Sequence, residues 1–245
     1  EQGPGPQNLD QVAYFGAHTR LGTLGIERLL SIRGFAPVRS ANVVYPKDSP
    51  LTPSTPLTGA EEPVPSPESG RFGSVYINAN AHPGVIINVA DDSPASLHRL
   101  SVVYNNVEGL AVFDRINRMV RLCNWLELPS DQVDAVLVAA ISAEVRGGAD
   151  KEKWWISDNV IHALGLFQTL RERYNCTAAD FAVLINELAI YGSGEALSQF
   201  DQVFNSQGSY REPLLLDDGE FPVTPAPGEV DLTISQLCNG LGIDT

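Results

Sequence analysis

The chain has 245 residues, of which 43% are hydrophobic, and 30 acidic against 16 basic side chains give it a net charge of −14. That length suffices for one large domain or two small ones around a real core. The charge argues against a duplex nucleic-acid binder and against docking on an anionic membrane, since both need clustered Lys and Arg.

The opening EQGPGPQN has neither an initiator Met nor the basic start and apolar core of a signal peptide. It reads as a processed chain or a piece of something longer, made in the cytoplasm without a leader. No apolar run reaches the roughly 18–20 residues that span a bilayer, so no membrane contact is expected of this segment. Cys123, Cys176 and Cys238 are odd in number and far apart. They are expected as buried thiols on helix faces rather than as a disulfide framework.

Residues 1–45 are expected to form an N-terminal helical hairpin. Val12, Phe15 and Ala17 mark its first helix and Ile26, Leu29 and Leu30 its second, with a break at Arg20–Thr23 and a stop near Gly34. Residues 46–71 are rich in Pro, Ser and Thr and offer almost nothing to bury, which predicts a loop or linker. Residues 72–107 are expected to hold a small antiparallel β element. Val75–Asn78 and Val85–Ala90 flank a Pro-Gly turn signal as a hairpin, and Leu100–Asn106 is a third strand. Residues 108–245 are expected to form a helical-hairpin domain.

Within that last region, helical spacing joins Val112, Ile116, Met119, Val120, Cys123 and Leu126 in one apolar stripe. Asp114 and Arg118 stand at i,i+4. After Pro129, with Ser130 as predicted N-cap, come Val133, Val136, Leu137, Ala140 and Ile141. Ser157 is the predicted cap of a helix bearing Val160, Ala163, Phe167, Leu170 and Tyr174. Thr177-x-x-Asp180 has the form of a capping box ahead of Phe181, Leu184, Ile185 and Leu188. A short helix around Leu197, Phe200, Val203 and Phe204 closes the run.

The breaks align. Thr19-x-Leu21-Gly22-Thr23-x-x-Ile26, Leu126-x-Leu128-Pro129-Ser130-x-x-Val133 and Tyr174-x-Cys176-Thr177-Ala178-x-x-Phe181 follow one frame. In each, one apolar residue tucks under the pair and the next helix presents apolar residues at i, i+3 and i+4. A unit of about 25 residues buries some five or six large side chains at roughly 1.5–3 kcal/mol each. Ordering its backbone costs roughly 1–2 kcal/mol per residue, so such units must stack to persist. Ser235, Leu237, Cys238 and Leu241 with Gly242–Asp244 begin the frame a fourth time, which reads as truncation or as an end that docks on another chain.

The strings DRINRMVRLCNWLELPSDQVDAVLVAAI, ISDNVIHALGLFQTLRERYNCTAADFAVLINELAIYG and FDQVFN together resemble the A subunits of bacterial Tc (toxin complex) insecticidal toxins and the Salmonella virulence-plasmid A protein family. Residues 14–43 and the stretches PLLLDDGEF and QLCNGLGI are similar too, whereas residues 46–70 have no counterpart. The resemblance implies a mainly α protein of packed helical hairpins, part of a helical shell around a channel in a homo-oligomeric toxin. It implies no catalytic residue, no metal and no cofactor. The partners it implies are other parts or subunits of a toxin complex, and it implies a protein released from the bacterium.

Against a non-enzymatic module stand two alternatives. One is a stand-alone effector that binds a host protein, and the other is a metal-dependent hydrolase built from scattered His and Asp. His18, His82, His98 and His162 are isolated, and no HExxH or Cys-x-x-Cys spacing occurs. Asp91-Asp92 and Asp217-Asp218 read as turn residues. Arg115, Arg118 and Arg121 recur every three residues and read as partners of acidic side chains rather than as an anion site. The adjacent Trp154 and Trp155, on a charged loop, are the candidate protein contact.

Overall fold

The computed structural model describes residues 12–29, 33–35, 37–43, 75–78, 85–87, 100–102, 108–148, 155–186, 188–193, 195–206, 212–216 and 232–243. These are mostly helical, and they fall into two compact units. One comprises Glu1–Pro37 with Leu57–Glu187, the other Val38–Pro56 with Leu188–Thr245.

The first unit is organised around α5 (Ser130–Arg146), which packs against α2 (Thr23–Leu29), α3 (Val75–Asn78), α4 (Glu108–Leu126), α6 (Asp158–Tyr174) and α7 (Ala178–Ile185). The five residues of its predicted stripe are all buried. Ser130, Asp134 and Ala139 are buried as well, so α5 is enclosed on more than one side. Ile116, Met119 and Leu126 of α4, Val160, Leu164 and Phe167 of α6, and Phe181 of α7 join it in one core. Phe15 of α1 (Val12–Thr19) and Ile26 and Leu29 of α2 complete it.

Three helix–helix corners in this unit share one backbone device. Arg20, Glu127 and Asn175 adopt φ of 59°, 53° and 58°, the left-handed conformation that stops a helix and reverses the chain. One residue on, Leu21, Leu128 and Cys176 pack against the core, and the next helix begins at Thr23, Ser130 or Ala178. The N–H of Leu128 donates to the Cys123 carbonyl at 3.2 Å, and that of Asn175 to the Arg171 carbonyl at 3.0 Å. Carbonyls that the helix end would orphan are thereby satisfied. The sequence frame is thus a recurrent turn. In the second unit Gly242 (φ 67°) repeats it, with the Ile243 N–H on the Cys238 carbonyl at 2.9 Å.

Several local expectations shift. Pro129, not Ser130, is the N-cap of α5; no side chain caps the helix, and Ser130 is its buried first residue. Ser157 and the Thr177–Asp180 capping box behave as expected. Tyr174 is 72% exposed because the buried face of α6 runs through Val160, Leu164 and Phe167 and ends on Arg171. The Arg171 guanidinium lies 5.9 Å from the Phe167 ring centroid and donates to the Leu126 carbonyl at 2.7 Å. Helix α7 ends at Ile185, whose carbonyl accepts from Arg146 at 2.8 Å, so Leu184 is left 70% exposed and Leu188 is not helical.

The predicted hairpin needs a larger correction. Val75–Asn78 is a helical turn, and the antiparallel pair joins β2 (Val85–Ile87) to β3 (Leu100–Val102) in the register Val85↔Val102. The remaining residues of the predicted strands lie outside the described residues. The reason is tertiary: Tyr76 and Ile77 are adjacent and both buried, whereas neighbours in a strand would face opposite ways. Asp134 of α5 accepts from the Tyr76 N–H at 3.0 Å, and Arg115 of α4 donates to its carbonyl at 2.8 Å. A backbone so satisfied needs no strand partner.

The second unit has a smaller core of Val43, Phe200 and Leu214. It contains β1 (Pro37–Arg39) from Val38 onward, beside β4 (Tyr191–Ser193), with α8 (Gln199–Phe204) and α9 (Leu232–Leu241). Gly240 lets α9 close on α8, since a Cβ there would run into the Phe204 ring.

Because Glu127 holds a left-handed φ that costs a residue with a Cβ roughly 1–2 kcal/mol, Glu127→Gly is expected to stabilise the chain by about 0.5–1 kcal/mol. Asn tolerates that conformation, so Asn175→Gly is expected to change stability by less than about 0.5 kcal/mol. Urea unfolding of both variants checks the contrast; equal shifts refute it.

Candidate functional site

Among the described residues no group of three or more His, Cys, Asp or Glu side chains is placed to hold a metal ion. Of the predicted contact pair, Trp155 is 61% exposed, and Trp154 lies outside the described residues. Trp155 precedes the α6 cap. There the Ser157 hydroxyl accepts from the Val160 N–H at 3.2 Å and donates to the Glu144 carboxylate at 2.8 Å. Asn159 Nδ2 adds a second bond to Glu144 at 2.9 Å. The start of α6 is thereby tied to α5, so the indole stands beside an anchored backbone. The solvent side of α6 continues with Ile161, His162 and Leu166, and a side chain at Gly165 would meet nothing.

A groove of about 430 Å³ lies between α2 and the α4–α5 corner, lined by Leu21, Leu24, Arg28, Val120, Cys123 and Glu127 among others. Along it Arg28 Nε stands 3.3 Å from Asp131 Oδ1, and the guanidinium covers the Phe35 ring at 4.8 Å. Neither of those two atoms has an aligned hydrogen bond, so charge and stacking hold the pair. Both side chains are about one-third exposed (37% and 32%), which keeps its contribution small. Burial, reinforced by the charges of Asp134 and Asp131, pushes the Cys123 thiol up to about 12. The groove wall therefore carries a protonated, unreactive sulfur.

Among the described residues the other singled-out side chains are dispersed. His18 Nδ1 donates to the Tyr14 carbonyl at 2.9 Å and its ring stacks on that of Tyr14, and His162 is exposed. His82, His98, Asp91-Asp92 and Asp217-Asp218 lie outside the described residues. The arginines do not form a free strip. Arg115 is spent on the Tyr76 carbonyl and lies over the Tyr76 ring at 5.4 Å, and Arg118 pairs with Asp114 at 2.8 Å as its spacing predicts. Cys123, Cys176 and Cys238 are free, and each is half-buried. Residues that spacing did not single out are Asp134 and Asp201, both buried carboxylates. A periodicity reading scores a polar residue as outward-facing, so neither gave a signal.

Comparison with curated proteins finds similarity to the toxin subunit YenA1 of Yersinia entomophaga, 31% identical over 240 residues. The match covers 96% of this chain but 18% of that subunit, so the chain spans less than one-fifth of its relative's length. No family model matches the chain, and no solved structure matches it.

With its thiol pushed up to about 12, Cys123 is expected to resist iodoacetamide in the folded protein at pH 8, where roughly one thiol in ten thousand is ionised. Mass mapping after timed alkylation checks this; Cys123 labelling as fast as an unfolded control refutes it.

Proposed function

The chain belongs to the Tc toxin A family through its match to one segment of such a subunit, and from that premise we propose that it is a non-enzymatic structural module of the toxin. Its helical hairpins supply shell and assembly surface for toxin delivery, and its partners are other parts or subunits of the complex, in a homo-oligomeric whole. That the relative is a toxin subunit supports a component role rather than a self-sufficient one.

The observation that carries this reading is the use of the helices themselves. Their longest apolar stripes converge on α5, and among the described residues Arg115, singled out by sequence, is spent on backbone and His18 and His162 stand apart. What remains for recognition is apolar surface, with Trp155 on an anchored backbone and Leu166 52% exposed beyond it. Exposed aromatics and aliphatics on rigid elements are where interface energy concentrates. Trp154 and Trp155 together are proposed as the contact, and release from the producing bacterium goes with a toxin role. No described helix is long and apolar enough to cross a membrane.

Trp155→Ala is expected to weaken assembly with the partner toxin components roughly 10- to 30-fold, the effect of losing about 2 kcal/mol of interface energy. Its melting curve should stay close to wild type because the indole is exposed. Sedimentation or light scattering on the assembled complex measures the first effect and circular dichroism the second. Unchanged assembly removes Trp155 from the interface, and turnover of a substrate by the isolated chain overturns the non-enzymatic reading.

A further inference from the structure

We propose that residues 212–216 form a strap on the second unit, and that the FDQVFN sequence at Phe200–Asn205 serves to seat it. The seat is built from asparagines whose side chains are aimed by one carboxylate. Asp201 Oδ1 accepts from Asn42 Nδ2 at 2.8 Å and from Asn205 Nδ2 at 2.9 Å, while Oδ2 accepts from the Ser198 hydroxyl at 2.7 Å. The Ser40 side chain is a further hydrogen-bonding partner.

Each asparagine so held then grips the strap. The Asn205 amide meets Leu214 on both sides: its Oδ1 accepts from the Leu214 N–H at 2.8 Å, and its Nδ2 donates to the Leu214 carbonyl at 3.1 Å. One side-chain amide thus does what a neighbouring strand's peptide would do. Asn42 offers its main-chain carbonyl, which accepts the Leu216 N–H at 2.8 Å, next to a bridge between Val43 and Leu216. Leu214 itself is buried with Val43 and Phe200. Gln236 of α9 holds the strap's start by donating to the Glu212 carbonyl at 2.9 Å.

A carboxylate suits this geometry, since it is acceptor-only when ionised and Asn42, Asn205, Ser198 and Ser40 all donate to it. Its charge makes each of these bonds stronger than a neutral one. Asp201→Asn keeps an oxygen for the two asparagine amides but removes that charge and forces the serine hydroxyls to accept instead of donate, at a group that is 5% exposed.

Hydrogen exchange at the Leu214 and Leu216 amides tests the strap directly. In Asp201→Asn both amides are expected to exchange on the order of tenfold faster or more, with those of α4–α6 unchanged. In Asn205→Ala, which leaves the carboxylate with its other partners, Leu214 is expected to lose protection while Leu216 keeps it. Wild-type rates at both amides in Asp201→Asn overturn the proposal. If Asp201→Asn unfolds the second unit, Asn205→Ala decides. Selective loss at Leu214 upholds the strap; equal loss at both amides, or no loss, overturns it.

Discussion

Enclosure of α5 is the constraint from which the first unit follows. A helix buried on more than one side has to be covered by several others, and here α2, α3, α4, α6 and α7 do so. Helices gathered round one axis from consecutive chain need abrupt reversals between them. The left-handed residues Arg20, Glu127 and Asn175 supply those reversals without long loops. The apolar residue that follows each turn is partly buried and packs against the core. Covering the central helix and turning the chain tightly are thus one requirement met by one short device.

Enclosure also explains the polar groups inside. Asp134 sits on the buried α5 because a short helical turn brings the Tyr76 N–H to it, and Arg115 takes the carbonyl of the same residue. A buried carboxylate is tolerable when its acceptors are used. Asp201 in the second unit obeys the same rule with a fuller complement. Burial alone would push its carboxyl up, but hydrogen bonds from Asn42, Ser40, Asn205 and Ser198 outweigh that and hold it below the ordinary aspartate range. A depressed value means that the group contributes stability above the unfolded aspartate's pKa and loses it as pH falls through the lower folded one.

Much of the helical architecture was legible because apolar spacing reports burial. Val133, Val136, Leu137, Ala140 and Ile141 were identified from sequence alone, as were the Ser157 cap and the Thr177–Asp180 box. Val75–Asn78 reads as a strand from sequence because Val75, Tyr76 and Ile77 satisfy strand propensity, whereas its conformation is set by Asp134 and Arg115, distant in sequence. Tyr174 and Leu184 looked like core residues because periodicity cannot foresee where a guanidinium ends an apolar face. Trp155 was found as an aromatic on a charged loop. The Asp201 seat was invisible as a seat, since its partners come from residues 40–42 and 198–205 and no local pattern links them.

The corner residues have a consequence for how this architecture can vary over evolutionary time. Each bend is encoded in main-chain torsion, so a side chain standing there has only to tolerate the left-handed region: glycine and asparagine do so readily, and arginine and glutamate do so here at a modest cost. Descendants can therefore exchange these surface positions among residues without a branched Cβ while preserving the angle at which successive rods meet. Lineages built this way should retain a common layout long after their letters have drifted apart.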